Sequence, residues 1–279
     1  MISIACPTDE GETVFRRAAA CTRNVGLRTA LLSVGDHVRA RTNSYLQLAG
    51  RQSLYELGVA PVNGVTPEQL AAVYDRVLVR GNERPLYDRI KASAKFKRCP
   101  LCGEREVKTL DHYLSQSDFP ELAVFPANLV PSCSDCNKTK LAHIPEAPDE
   151  QLFHPYFDNW STHRILSASV TVRNAVSVRF SIIDVPGFPR DDLQRAREHF
   201  RLLKLDELYD SKSAVELVES KDNFRRNYQD GAEVLRAELR HIAQSRQRSN
   251  INSWRAALYW GLAESNDFCD GGFELIEEQ

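Results

Sequence analysis

CPLCGEREVKTLDHYLSQSDFPELAVFPANLVPSCSDCNKTK, residues 99–140, opens and closes on a Cys-x-x-Cys pair. Cys99 with Cys102 and Cys133 with Cys136 are separated by 30 residues. One such pair also occurs in redox sites, but two at this spacing match a four-thiolate zinc site, tetrahedral and closed. A closed site has no open position for a substrate, so its metal is scaffold and the chemistry must lie elsewhere. The short apolar runs between the pairs, TLDHYL and AVFPANLVPSC, each end in turn residues, and SDCNKTKLAH reads as a short helix. The expected order is strand, strand, helix, with zinc pinning both ends.

Asp111, His112, Asn128 and Asn137 are the polar residues that stand out inside this clip. Taken singly each has a plain explanation. An Asp-His pair is commonly solvated, Asn128 can close a turn, and Asn137 can decorate a helix surface. Their joint occurrence at these offsets is harder to dismiss. CPLC…LDHYL…FPANLVPSCSDCNKTK closely resembles the HNH endonuclease motif, the ββα-metal fold in its zinc-knuckle form. The resemblance covers residues 96–142, about a sixth of the chain.

The resemblance implies roles. Asp111 and Asn137 would hold a catalytic divalent cation, His112 would be the general base, and Asn128 would position it. Many members carry His where this chain has Asn137, and the Asn form is also common. The implied chemistry is consistent. An imidazole with an ordinary pKa near 6.5 can take a proton from water at neutral pH. A carboxylate and an amide oxygen are hard ligands that suit Mg²⁺ or Mn²⁺ rather than zinc. Lys138 and Lys140 follow within a turn and are expected to reach phosphates. The assignment also makes a structural demand. Neighbours in a regular strand face opposite ways, so Asp111 and His112 can turn into one site only if the strand ends or bulges there.

Outward from this module, 42% hydrophobic and 27% charged residues describe an ordinary globular chain. No apolar run approaches the roughly 20 residues of a membrane span. The N-terminal stretch lacks a signal-peptide pattern, so a cytoplasmic protein is expected. A formal charge of −2 gives no whole-chain argument for nucleic acid. That argument is local: residues 84–98 carry six Arg or Lys against one Asp, and Lys95 and Lys97 lead into the first knuckle. Cys6, Cys21 and Cys269 stand alone and read as small buried hydrophobes.

The fold class expected is α+β: a mainly helical chain with a central zinc-stapled ββα module and a following hairpin. Residues 1–95 form a helical region, 96–160 the metal module with its linker, and 161–279 a β-hairpin followed by helices. The clearest helix is 66–80, where Thr66 caps, Pro67 suits the first turn, Gln69 completes a capping box and Gly81 ends the run. Segments near 9–23, 27–35 and 84–95 also read as helical. Leu166 to Val172 and Val176 to Ile182 alternate as strands about Arg173-Asn174-Ala175. HPYFD, residues 154–158, reads as packing, and WRAALYW, residues 254–260, as core or a docking surface.

The leading expectation is therefore a metal-dependent DNA endonuclease. NSWRAALYWGL, residues 252–262, resembles a pattern in bacterial antiviral or restriction-type effectors, which implies a regulatory partner such as an ATPase. Two alternatives remain open. One is a ribonuclease using the same site. The other is a non-catalytic zinc module that binds nucleic acid or protein.

Overall fold

The computed structural model describes residues 1–141 and 143–277. It mixes helix with two small antiparallel two-stranded sheets. The chain divides into two compact units, Met1–Asn159 and Trp160–Gln279.

In the first unit five helices precede the cysteine-rich segment: α1 (Gly11–Ala20), α2 (Val25–Ser33), α3 (Gly35–Gly50), α4 (Pro67–Val73) and α5 (Arg84–Ala92). The capping box at Thr66 forms as expected. Its hydroxyl accepts from the Gln69 backbone N–H, and the Gln69 side chain accepts from the Thr66 N–H. The helix does not run on to residue 80 in α form. After Val73 it widens into a π-helical turn, Tyr74–Val79, whose Val77 and Leu78 are buried. At Gly81 the chain doubles back so tightly that a Cβ would lie 2.5 Å from the Arg76 carbonyl oxygen, so only glycine fits. α3 lies within the stretch 1–95 expected to be helical but has no individual helix signal in the sequence reading. It buries Val38, Thr42, Tyr45 and Ala49, which have helical spacing, but a Thr within that face weakens the apolar signal.

These helices and the cysteine-rich segment share one core. Val14, Phe15, Leu31, Leu70, Val77, Leu86 and Ile90 pack in the same cluster as Leu110, Val124 and Leu129. β1 (Thr109–His112) pairs antiparallel with β2 (Leu129–Ser132), and α6 (Ser134–Lys140) follows. This is the strand, strand, helix order read from the sequence. HPYFD packs inward as expected: His154 is buried, stacks on Tyr113 with ring centroids 4.1 Å apart, and lies 2.8 Å from the Tyr45 hydroxyl.

In the second unit β3 (Leu166–Val172) and β4 (Val176–Ile182) form the expected hairpin, in register from Leu166↔Ile182 to Val172↔Val176. α7 (Arg190–Leu202), α8 (Leu205–Tyr228), α9 (Ala232–Gln247), α10 (Trp254–Glu264) and α11 (Asn266–Cys269) complete it. α10 packs on β3 so closely that a Cβ at Gly261 would lie 2.3 Å from the Ala168 carbonyl oxygen. Trp254, Ala256, Ala257, Leu258, Tyr259 and Leu262 are buried, so most of WRAALYW is core rather than docking surface. No helix among the described residues is long and apolar enough to cross a membrane.

Candidate functional site

Two short turns bring the four cysteines together. The first is a knuckle in which the Cys99 N–H donates to the Arg105 carbonyl at 2.8 Å and the Gly103 N–H to the Cys99 carbonyl at 2.7 Å. Gly103 has a φ of 68°, where glycine carries no steric penalty. In the second, Cys133 caps α6, its Sγ accepting from the Cys136 N–H at 3.3 Å. The four Sγ atoms lie within 4.8 Å of one another and all four residues are buried. Zn–S bonds of about 2.3 Å in a tetrahedron place sulfurs about 3.8 Å apart. The donor set therefore fits a metal ion, and four sulfurs suit zinc. The Arg105 N–H, 3.5 Å from the Cys102 Sγ, adds a donor toward the sulfur cluster.

β1 leaves the knuckle and carries Asp111 and His112. Of the two departures expected, a bulge or an end, the bulge is not there and β1 ends at His112. Residues 109–112 pair one to one with 132–129, and the Tyr113 N–H continues the ladder to the Asn128 carbonyl at 2.8 Å. A bulge needs an extra residue opposite one partner, and this register has none. Asp111 and His112 consequently make their contacts with different neighbours.

Asp111 is buried and meets α6. The Lys140 ammonium lies 3.2 Å from its Oδ2 and 3.4 Å from its Oδ1, and it donates to the His112 carbonyl at 2.7 Å. Burial pushes the Asp111 carboxyl above its ordinary pKa, with Lys140 opposing. This corrects the expectation for Lys140: its side chain is buried and tied to β1, so it is not available to a phosphate. Lys138 is exposed. Asn137 is partly exposed and lies three residues before Lys140 on α6. An ionised carboxylate offers about four acceptor sites, so the Lys140 contact leaves Asp111 capacity for a cation. The Asp111 carboxylate and Asn137 amide oxygen fit Mg²⁺ or Mn²⁺ in donor chemistry.

His112 is held on its other side. Its Nε2 lies 2.9 Å from the Ala123 carbonyl oxygen. A carbonyl can only accept, so Nε2 carries the hydrogen and Nδ1 keeps its lone pair. The ring stands edge-on to Tyr74, centroids 4.5 Å apart. Burial pushes the imidazole pKa down to about 4, so the ring is neutral at pH 7.

Asn128 is fully buried, and none of its side-chain hydrogen bonds goes to His112. Its Oδ1 accepts from the Leu114 N–H at 2.8 Å, and its Nδ2 donates to the carbonyls of Leu114 at 3.0 Å and Leu122 at 3.4 Å. It thereby closes the loop 114–122, whose next residue supplies the carbonyl that orients His112. Arg41 braces the same loop through Glu121 at 2.8 Å.

The basic stretch 84–98 is less free than its composition implied. Arg84 pairs with Asp88, Arg89 with Asp9 and Arg98 with Glu104. Lys95 and Lys97 are exposed on a turn and, among the described residues, make no ion pair. Sequence reasoning gave no sign that Tyr74, within the helix expected over 66–80, packs against His112. It also missed the Ala123 carbonyl, for which side-chain chemistry offers no signal.

Over 230 residues the chain is 30% identical to Protein ea31 of Escherichia phage lambda, spanning 75% of this chain and 76% of that protein. The chain belongs to the Ea31 family. The shared segment extends well beyond the 38 residues from Cys99 to Cys136, so the kinship is not confined to a zinc clip. No protein-family model and no solved structure matches the chain.

Proposed function

We propose that this Ea31-family protein is an HNH-type endonuclease that hydrolyses DNA phosphodiester bonds. The observation that carries the reading is the His112 ring. Its Nε2–H is committed to the Ala123 carbonyl, and no described residue is hydrogen-bonded to its Nδ1. That arrangement presents a base of fixed orientation. In the proposed step Nδ1 takes a proton from water, the resulting hydroxide attacks phosphorus, and the P–O3′ bond breaks, with solvent protonating the departing oxygen. Asp111 and Asn137 would hold Mg²⁺ or Mn²⁺, which when bound supplies Lewis-acid stabilisation of the phosphoryl charge. Tyr74, Asn128 and Ala123 keep the base in place. The cysteine cluster, loaded with zinc, holds β1 and α6 together and takes no part in bond breaking.

A non-catalytic zinc module is the second reading, favoured by one specific observation. Asp111 and His112 have separate partners on a regular strand, and each of those partners alone accounts for burying a polar side chain. A ribonuclease would use the same groups, because a phosphate does not itself distinguish the sugars. An antiviral or restriction-type role, with a partner such as an ATPase, extends the proposal through the resemblance at residues 252–262.

The test is incubation of zinc-loaded protein with supercoiled plasmid, and separately with duplex and single-stranded RNA, in Mg²⁺. Nicking or linearisation that His112→Ala abolishes, with zinc content unchanged, supports the nuclease. Cleavage of RNA alone moves the substrate class. Cleavage that His112→Ala leaves undiminished overturns the assignment of the base.

A further inference from the structure

Phe96 is the most exposed large apolar side chain among the described residues, with 87% of its surface open. It sits at the centre of the turn Lys95–Lys97, between α5 and the first cysteine of the knuckle. The turn is anchored on both sides: the Lys97 N–H donates to the Ala94 carbonyl, the Arg98 N–H to the Lys95 carbonyl, and the Val107 N–H to the Lys97 carbonyl at 2.9 Å. Phe96 and Lys97 both have left-handed backbones, with φ of 54° and 57°. Glycine or asparagine would adopt that conformation with less strain. An aromatic residue there costs conformational energy and gains no burial, so folding alone does not account for it.

The charge around the ring points to an anionic partner. Lys95 and Lys97 flank it, exposed and without ion pairs. Lys91, Lys97 and Lys108 all lie close enough to Glu106 to hold its carboxyl below the ordinary range, Lys108 contributing most. Four lysines thus surround the turn against that single acid, whereas the arginines of the same stretch are neutralised by partners. An exposed aromatic ring with lysines on either side is a stacking platform beside a phosphate track. Lys108 precedes β1 directly and stands four residues from His112, about 13 Å along the strand. That is roughly four steps of a nucleic-acid strand at 3.4 Å each.

We propose that Lys95-Phe96-Lys97 is a nucleic-acid-binding turn: Phe96 stacks on an unpaired base while Lys95 and Lys97 hold the adjoining phosphates. The location relative to His112 rests on the endonuclease reading, but binding by the turn does not require cleavage. The experiment uses full-length, zinc-loaded His112→Ala protein, so that the probe is not cut. A fluorescein-labelled single-stranded DNA 20-mer is titrated by anisotropy, and the same DNA containing 2-aminopurine reports stacking. Phe96→Ala is expected to weaken binding about 10-fold or more and to abolish the 2-aminopurine quenching. Phe96→Trp is expected to restore both. Lys95→Gln with Lys97→Gln should lower the salt dependence by about 1.4 in log–log slope. Phe96→Asn keeps the backbone unstrained, so a fold at least as stable with binding lost separates the ring's role from folding.

Binding by Phe96→Ala within twofold of its parent overturns the proposal, as does a parent that binds no nucleic acid. Plasmid nicking by protein with His112 intact is read in parallel and decides the endonuclease reading separately. Nicking without Phe96 dependence sinks only the turn, and Phe96-dependent binding without nicking sinks only the hydrolysis.

Discussion

Asn128→Ala removes the clamp on the loop that orients His112, and its cost can be worked from the contacts. The Leu114 N–H and the Leu114 carbonyl lose their side-chain partner, whereas the Leu122 carbonyl still accepts from the Phe125 N–H at 3.1 Å. Each buried polar group left unsatisfied costs about 1–3 kcal/mol. Two such groups give about 3 kcal/mol after water relieves part of the loss. Asn128→Asp should fare no better: its carboxylate can still accept from the Leu114 N–H, but it faces the Leu114 carbonyl with no proton to donate. The assay needs a probe confined to the right unit. All three tryptophans, Trp160, Trp254 and Trp260, lie in the second unit, so fluorescence is blind to the first. Hydrogen exchange at the Leu114 amide reads the clamp directly, and about 3 kcal/mol corresponds to a loss of protection of roughly 100-fold. Urea unfolding followed by far-UV circular dichroism should show an earlier transition, with the tryptophan transition unmoved. If Asn128→Ala leaves Leu114 protection within threefold of the parent, the clamp argument fails, and with it the route from Asn128 to His112.

Other expectations are as direct. Arg41→Ala strands the fully buried Glu121 carboxylate and should destabilise the first unit by about 3–5 kcal/mol, whereas Arg41→Ala with Glu121→Leu should recover much of that loss in the same unfolding assay. Elemental analysis should find one zinc per chain. Cys102→Ser or a strong chelator should abolish the cooperative unfolding of the first unit, because a structural zinc site contributes to folding outright. Gly261→Ala drives a methyl group against the Ala168 carbonyl and should cost about 1–3 kcal/mol, visible as an earlier tryptophan transition with the zinc unit unaffected.

Much of the fold was legible because its signals are local. The capping box at Thr66, the alternation on both sides of Arg173-Asn174-Ala175 and the paired Cys-x-x-Cys spacing each depend on residues a few positions apart. The formation of one metal-ready cluster from two distant pairs was legible too, because two Cys-x-x-Cys pairs at this spacing match a four-thiolate metal site. α3 was less visible, since Thr42 and the polar residues between Val38 and Tyr45 blur the apolar stripe. The surroundings of the candidate residues were not legible: Asp111, His112, Asn128 and Asn137 could be singled out by type and order, but their partners could not, and Lys140 was given to solvent and phosphate although its ammonium is buried against Asp111.

The sequence by itself determined which chemical groups this protein has to work with and the order of elements that carries them, since spacing and side-chain type are written in the chain. Only the tertiary structure decided which way those groups face. A strand exposes alternate residues to whatever packs on each face, and the identity of those neighbours, α6 and Lys140 for Asp111, Tyr74 and the Ala123 carbonyl for His112, comes from segments 11 to 38 residues away. For the same reason no bulge forms at Asp111-His112: the residues of β2 match those of β1 one for one as far as His112, where β1 ends, and hydrogen-bond pairing keeps the buried backbone regular up to that point.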